Sequence, residues 1–396
     1  MATGDNEPTV VIVGASVAGT RCALALRDNG FAGPIVLLDT EDEDPYDKPQ
    51  LSKRFEPDHQ LELLAEATAL CERGIDFRTG VAATRLDLDR RRLMTSAGPI
   101  AFDQLVIATG CRPRPVPYAL PPRAGYLRNR SDWARLTNAV AGGGGLLVLG
   151  GGFLGLEAGA AAVAAGMTAT VVDVAPRILT RGIPSVAAGL IADKHAAQGV
   201  SFRLATAEPL VEGDGASVWI DDTTAQYAVV SIGAIPNVDW LADSGLRLDD
   251  GVVCDENLMA VPGVWAIGDV ARWMNPRYGR AERHEHWTTA ARHAQSVARS
   301  IASGVARPVS EVPYVWSDQY DWKIQTVGRE GPSENHFTSG TDEHVVLGVD
   351  DGLVTGVATI NSPARCLRAR QLLQRTEPTL DTVVEKLGLA EYARVD

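Results

Sequence analysis

The apolar positions of this chain fall into short β-branched runs, each followed by a small-residue turn and an alanine-rich stretch with helical spacing. Val10-Val11-Ile12-Val13 places four β-branched residues in a row, the pattern of a strand buried on both faces. Gly14-Ala15-Ser16-Val17-Ala18-Gly19 turns that strand into a helix ending near Gly30, and a second strand, Ile35-Val36-Leu37-Leu38, runs into Asp39. The series recurs 136 residues on, counting from Gly14 to Gly150. Leu146-Leu147-Val148-Leu149 leads into Gly150-Gly151-Gly152-Phe153-Leu154-Gly155, then a helix ending at Gly166, then Thr170-Val171-Val172 and Asp173. Strand, turn, helix and acidic tip are duplicated. Near the C-terminus the runs Val345–Val349 and Val354–Ala358, separated by Asp350–Leu353, read as an antiparallel hairpin.

Each copy has the parts of a dinucleotide clamp. The first glycine makes the tight turn, the middle position lets backbone approach a pyrophosphate, and the third lets helix and strand pack closely; the helix N-terminus attracts the phosphate charge. An acid about 20 residues further on accepts ribose hydroxyl hydrogen bonds. One such turn is common in βα units, but two with matched acids point to two dinucleotides, FAD and a nicotinamide nucleotide. Ser16 replaces the middle glycine of the first copy, a small enough change to keep the approach open. A carboxylate at Asp173 repels a 2′-phosphate, so NAD(H) is expected over NADP(H), although Arg177 and Arg181 follow closely.

Composition narrows the class without changing it. At about 150 residues per domain, 396 residues make two or three domains. The net charge of −13 argues against nucleic acid and anionic membranes as partners, and no apolar run spans a bilayer. The Met1–Pro8 segment is polar and acidic, unlike a signal peptide, so a cytoplasmic protein is expected. The five cysteines, Cys22, Cys71, Cys111, Cys254 and Cys366, lie too far apart for a disulfide framework, an iron–sulfur cluster or a paired redox centre. His284, His286 and His293 flank Glu285, but i and i+2 do not share a helix face and no fourth ligand completes a set, so no metal is expected. The Gly142–Gly145 run reads as a flexible linker into the second clamp, Pro113–Pro122 as an interdomain connection, and Cys111 as packing.

Beyond the repeat, segments in order along essentially the whole chain resemble the FAD-dependent, NADH-using ferredoxin reductases that serve bacterial cytochrome P450 and Rieske-type oxygenases. They are Pro45-Tyr46-Asp47-Lys48-Pro49-Gln50-Leu51-Ser52-Lys53, Ala108-Thr109-Gly110-Cys111-Arg112-Pro113, Ile267-Gly268-Asp269-Val270, Glu285-His286-Trp287, and Trp316-Ser317-Asp318-Gln319-Tyr320 with Lys323-Ile324-Gln325 following. Three positions depart from the family pattern: Lys48 for arginine, Gln50 for a small residue or proline, and Asp321-Trp322 for Gly-x.

The resemblance implies an α/β fold with two Rossmann-like domains and a mixed α/β C-terminal domain. Residues 1–111 and 236–312 would form a discontinuous FAD domain, 112–235 the NAD domain and 313–396 the C-terminal domain. It implies that Gly14, Ala15, Ser16, Ala18 and Gly19 hold the FAD pyrophosphate with Asp39 on its ribose. Lys48, Pro49 and Lys53 would line the flavin, Thr109, Gly110 and Arg112 would lie beside it, Asp269 would hydrogen-bond the ribityl chain, and Ala83, Ala108, Gly268 and Val270 would also bind the cofactor. Glu285, His286, Trp287 and Trp316 would border the ring system. On the nicotinamide side it assigns Gly150, Gly152, Phe153, Leu154 and Gly155 to the turn, Asp173 to the ribose and Ile232 and Gly233 to the strand end.

Lys53 and Glu157 are expected to pair at the reacting edge of the flavin; the competing reading is a structural ion pair between domains. The implied activity takes electrons from NADH through FAD to a separate [2Fe–2S] ferredoxin that supplies a cytochrome P450 or Rieske oxygenase. The enzyme itself would be a monomer or weak dimer. An NADH oxidase forming peroxide and a redox-sensing flavoprotein of the apoptosis-inducing-factor type share the fold and stand as alternatives. Disulfide chemistry is disfavoured, because Pro49–Lys53 contains no cysteine. Arg365, Arg368, Arg370 and Arg375 form the densest basic cluster and read as one helical face able to dock an acidic ferredoxin, or as a solvated helix.

Overall fold

The computed structural model describes residues 7–395; Met1–Asn6, most of the polar N-terminal segment, lies outside them. By its contacts the chain forms two compact units. The first takes residues up to Asp47, Leu61–Arg112 and Ile235–Glu311, and the second takes Lys48–Gln60, Pro113–Ala234 and the chain from Val312 on.

The main sheet of the first unit has the order Met259–Val261, Val264–Ala266, Gln104–Ile107, Val10–Val13, Ile35–Leu38, Ile75–Arg78. Val10 lies opposite Ile35 on one side and Gln104 on the other, both parallel. A central strand paired on both edges and covered on both faces has no solvated side, which is why four β-branched residues run without alternation. The Val17–Asp28 helix makes the crossover that parallel pairing requires. Trp287–Ser303 packs beside it, burying Thr289, Ala290, His293, Ala294, Val297 and Ala298 at helical spacing.

The second unit repeats the architecture. Its parallel sheet runs Val200–Arg203, Thr168–Val172, Gly145–Leu149, Tyr227–Val230, Ala124–Gly125, with Phe153–Ala164 as the crossover helix. One expectation is corrected here, and another is extended. The glycine run is an ordered turn: Gly142 caps the Arg130–Ala141 helix, Gly143 and Gly144 take φ of +74° and +98°, and Gly145 begins a strand. A Cβ on Gly144 would meet only the movable carboxamide end of Gln226, so it is the dihedral that demands glycine there. The proline-rich 113–122 segment does begin where the chain leaves the first unit, after Arg112, and its Val116, Tyr118 and Leu120 also pack into the second unit's core.

The second unit also holds a small three-stranded sheet within 212–225 and a six-stranded antiparallel sheet, ordered Tyr314–Gln319, Trp322–Gly328, Leu353–Ile360, Glu343–Asp350, Ser333–Ser339, Ala393–Val395. The Glu343–Asp350 and Leu353–Ile360 strands are the hairpin read from the sequence, extended at both ends. Helices Pro363–Arg375 and Leu380–Leu387 contribute Cys366, Ala369, Leu373, Val383 and Leu387 to the core of this part. Among the described residues no helix is long and apolar enough to cross a membrane.

Candidate dinucleotide clamps and the buried carboxyl

Both glycine turns are built alike. Gly14 has φ +103° and Gly150 φ +111°, and a Cβ on either would strike a backbone carbonyl, Ala108 O at 2.4 Å or Ser231 O at 2.2 Å. A Cβ on Gly19 would meet Gly14 O at 1.8 Å, and one on Gly155 would meet Gly150 O at 2.1 Å, so the third glycine is fixed by helix-to-strand packing. By contrast, open space surrounds the Cβ position of Gly152, on the side where a pyrophosphate would approach. Neither clamp helix has a side-chain cap, although Ser16 is a residue type that caps well. The uncapped first-turn N–H groups are the donors an anion takes up. The residues present therefore fit a dinucleotide at each turn.

The acidic tips match atom for atom. Asp39 Oδ2 accepts from Ala15 N at 2.6 Å and its Oδ1 from Glu41 N at 3.0 Å. Asp173 Oδ2 accepts from Gly151 N at 2.6 Å and its Oδ1 from Ala175 N at 2.8 Å. Each carboxylate thus ties the glycine turn to the strand end that would carry the ribose. Two of the basic residues around Asp173 are engaged elsewhere. Arg177 Nη1 donates to Leu179 O at 2.6 Å and Ile178 O at 3.3 Å, and Arg203 pairs with Asp222 and with Asp221 at 3.4 Å. Ile232 and Gly233 follow the Ser231 carbonyl that the Gly150 turn abuts, with Ile232 N 3.2 Å from the Gly150 Cβ position, while Phe153 and Leu154 open the helix that leaves the turn. Gly233 has φ +104°, and the guanidinium groups of Arg181 and Arg114 lie 3.7 and 3.9 Å from its Cβ position.

Other residues assigned to the flavin in the first unit sit around the first clamp. Ala108 N donates to Val13 O at 2.8 Å. Thr109 is held by Asn237, whose carbonyl takes the Thr109 hydroxyl and whose amide donates to Thr109 O, both at 2.9 Å. Arg112 reaches Asn237 Oδ1 at 3.2 Å and Asp239 at 2.6 Å, and Gly110 has φ +60°. Gly268 turns at φ +70° against Ala18 and Ala290, its N–H donating to His293 Nδ1 at 3.3 Å, and so sets Asp269 and Val270 beside the clamp helix. Trp287 Nε1 donates to Asp47 Oδ1 at 2.7 Å, with the Arg21 guanidinium 4.6 Å over its ring. His286 stacks on His284, and burial pulls the pKa of His286 and His293 down to about 3. No group of three or more potential metal ligands occurs among the described residues. Ala83 opens a strand of a small three-stranded sheet, two residues after Val81, whose N–H donates to the Asp39 carbonyl at 2.8 Å, and packs against the core of the first unit.

In the second unit Lys48, Pro49 and Ser52 form a 3₁₀ turn, followed by Lys53. Glu157, in the second turn of the clamp helix, is buried: Ser317 Oγ donates to its Oε1 at 2.5 Å and the Ser52 hydroxyl to its Oε2. Burial raises its pKa, opposed by the nearby Lys53 charge and the two hydroxyls. Lys53 bonds elsewhere, its Nζ lying 3.2 Å from Asp318 Oδ2. The structure therefore gives Glu157 to serines and Lys53 to Asp318, in place of the direct Lys53–Glu157 pair expected. Strand alternation explains the split, since Ser317 points inward and Asp318, next to it, points to solvent. Trp316 stacks near Tyr314, centroids 6.3 Å apart.

The Asp321-Trp322 departure has a partner in the Ser185–Ala197 helix. Asp321 pairs with Lys194 at 2.6 Å, and the same ammonium sits 5.2 Å over the Trp322 ring. His195 beside it contacts Gln319 Oε1 at 2.7 Å and the Tyr320 hydroxyl at 3.2 Å. The basic cluster is not one free face. Arg365 pairs with Glu343 at 2.8 Å and lies 4.4 Å over Tyr392, and Arg370 lies 4.6 Å over Tyr314, leaving Arg368 and Arg375 as its exposed members.

Comparison with known proteins agrees with this construction. The pyridine nucleotide–disulphide oxidoreductase family model matches residues 8–294, and a reductase C-terminal model matches 314–385. Rhodocoxin reductase of Rhodococcus erythropolis is 34% identical over 394 residues, covering 93% of this chain and 90% of that protein. The ferredoxin–NAD(+) reductase component of the anthranilate 1,2-dioxygenase system of Burkholderia cepacia is 33% identical, covering 92% and 93%. Among solved structures, the reductase in the covalent putidaredoxin reductase–putidaredoxin complex superposes with a TM-score of 0.89 at 29% identity, covering 96% of each chain. The chain belongs to the pyridine nucleotide–disulphide oxidoreductase family, as an oxidoreductase that uses FAD and NAD(H).

Proposed function

We propose that this chain carries electrons from NADH, by way of FAD, to a separate [2Fe–2S] ferredoxin that serves a cytochrome P450 or Rieske-type oxygenase. The observation that carries the reading is the duplicated clamp, two turns with the same carboxylate-to-loop hydrogen bonds in one chain. Two nucleotide sites and no cysteine in Pro49–Lys53 favour a relay between cofactors over thiol chemistry. The relatives supply the acceptor class: one is named for ferredoxin–NAD(+) reduction and another is seen joined to putidaredoxin.

Bound flavin supplies the exchange of one two-electron donation for two one-electron deliveries. The protein's part is placement and charge. The first clamp would hold the FAD pyrophosphate at the N-terminus of Val17–Asp28, with Asp39 on the ribose and Thr109, Arg112 and Asp269 beside the rest. The second would hold NADH, with Asp173 accepting ribose hydroxyls; the engagement of Arg177 and Arg203 elsewhere supports NADH over NADPH. Lys53 keeps its positive charge balanced by Asp318. Glu157 holds a proton more readily than an exposed carboxyl, and either serine hydroxyl can rotate from donor to acceptor when Oε1 or Oε2 is protonated.

Steady-state cytochrome c reduction tests the reading, with NADH and NADPH run in parallel, each with and without an oxygenase-system ferredoxin. Ferredoxin-dependent turnover favouring NADH supports it. Peroxide production at the same rate without ferredoxin would support an oxidase instead. Slow turnover with every ferredoxin, despite rapid flavin bleaching by NADH, would support the sensing class.

A further inference from the structure

Arg283 lies between the segments that the FAD reading depends on, and its side chain is only 11% exposed. Its Nη1 donates to Glu285 Oε1 at 2.8 Å, to the Asp269 carbonyl at 3.2 Å and to Cys111 Sγ at 3.3 Å. The Cys111 thiol in turn donates to the same Asp269 carbonyl at 3.5 Å. One nitrogen therefore joins the loop of Ala108–Arg112, the Gly268–Val270 turn and the Glu285–Trp287 entry to the long helix. On the other side Nε bonds Asp250 Oδ2 at 3.1 Å.

The approach is shaped for this side chain. Gly251 has φ +126°, and a Cβ there would come within 2.6 Å of Val270 O and 3.2 Å of Arg283 Cδ. A larger residue would push the stem out of line. Burial works against the charge of Arg283, yet Asp250, Cys111 and Glu285 hold its pKa above the ordinary arginine value. An ion kept this far from water persists only while its hydrogen bonds are met, so the three segments are held at the separations the guanidinium dictates.

We propose that Arg283 is a positioning residue for the flavin: it sets the mutual placement of Cys111, Asp269 and Glu285 and thereby the affinity and electronic environment of bound FAD. The inference rests on the reading that the first unit holds FAD. It makes Cys111 a member of the flavin surround in place of simple packing.

The test uses full-length protein, with FAD affinity, the visible circular dichroism of bound flavin and the flavin midpoint potential as readouts. Arg283→Met is expected to weaken FAD binding by at least about tenfold, the size associated with lost hydrogen bonds to a charged group, and to change the flavin dichroism. Arg283→Lys keeps the charge, but its single ammonium lacks the fork, so the dichroism should remain altered. Restoration of all three readouts by lysine would overturn positioning in favour of charge alone. Wild-type affinity, dichroism and potential in Arg283→Met would overturn it outright.

Should the methionine variant not fold, Asp250→Gly decides the matter. Asp250 is exposed at φ +45°, a conformation glycine adopts freely, so the substitution removes the carboxylate that anchors Nε without straining the backbone. A weakening of FAD binding by about threefold with altered dichroism is expected, and unchanged binding and spectrum would reject the proposal. Ferredoxin reduction plays no part in these readouts. Failure of the wild-type protein to bind FAD would strike the cofactor reading, not the role of Arg283.

Discussion

Lys53 Nζ lies 3.2 Å from Asp318 Oδ2, and the Ser317 hydroxyl, one residue away on the same strand, donates to Glu157 at 2.5 Å. A single strand, Tyr314–Gln319, thereby assigns partners to both candidate reactive groups. The ammonium is balanced at a partly exposed pair, where salt screens it. The carboxyl is buried among hydroxyls that can serve either of its protonation states.

Replacing Glu157 by glutamine should raise stability at pH 8. The folded-state pKa of Glu157 is raised, chiefly by burial, so folding favours its protonated form. Its contribution is full below the ordinary carboxyl pKa of about 4.3 and is lost as pH rises through the raised value. The glutamine variant escapes that loss. Its Tm should exceed the parent's at pH 8, by about 2–4 °C for each kcal/mol recovered, and converge with it near pH 4. Thermal melts across that range check it; a constant offset at all pH values would contradict it.

Acid should have the opposite sign at the histidines. His336 Nε2 and His344 Nδ1 are 3.1 Å apart, buried on paired strands, and burial followed by their mutual charge lowers the pKa of His336. Burial lowers that of His344, partly offset by the Thr341 carbonyl and Asp342. His195 shifts the same way through burial, opposed by Gln319. Groups held neutral contribute stability above the unfolded pKa of about 6.5 and lose it as pH falls through their depressed values. The Tm should therefore drop as pH falls below about 6.5, and His336→Gln should flatten that slope.

Asp173→Ala removes the carboxylate from Gly151 N and Ala175 N as well as from the ribose. KM for NADH should rise by about tenfold or more, and the NADH-to-NADPH preference should narrow. An unchanged ratio of kcat/KM would separate Asp173 from coenzyme choice.

Within the basic helix, charge reversal at the two exposed positions should behave unlike reversal at the two engaged ones. Arg368→Glu with Arg375→Glu should slow ferredoxin reduction several-fold at low salt while leaving NADH-to-ferricyanide activity intact. Arg365→Glu should instead lower Tm, because it sets a like charge against Glu343. Equal effects of both changes on both assays would make the helix purely structural.

The duplicated clamp was legible in the sequence because its signals are local. A glycine at φ near +105°, a β-branched strand and an acid at the next strand end leave the same mark wherever they occur, and Gly14 with Asp39 and Gly150 with Asp173 prove superposable in their bonding. Partners set by tertiary register were not legible. Whether Lys53 meets Glu157 or Asp318 depends on which face of Tyr314–Gln319 turns inward, and the 48–60 segment packs with the second unit although its sequence follows the first clamp. Asn237 and Arg283 went unread for the same reason, since each acts across more than 100 residues on a segment whose own motif is complete without it. The only hint for Arg283 was its place two residues before Glu285.

The decisive measurement is anaerobic reduction of an oxygenase-system [2Fe–2S] ferredoxin by NADH with catalytic amounts of the FAD-loaded protein, followed by the loss of the cluster's visible absorbance. Complete reduction over many turnovers, faster with NADH than with NADPH, is the expected result. An enzyme whose flavin is bleached by NADH within the mixing time, yet which passes no electrons to any [2Fe–2S] ferredoxin offered, would contradict the proposed function.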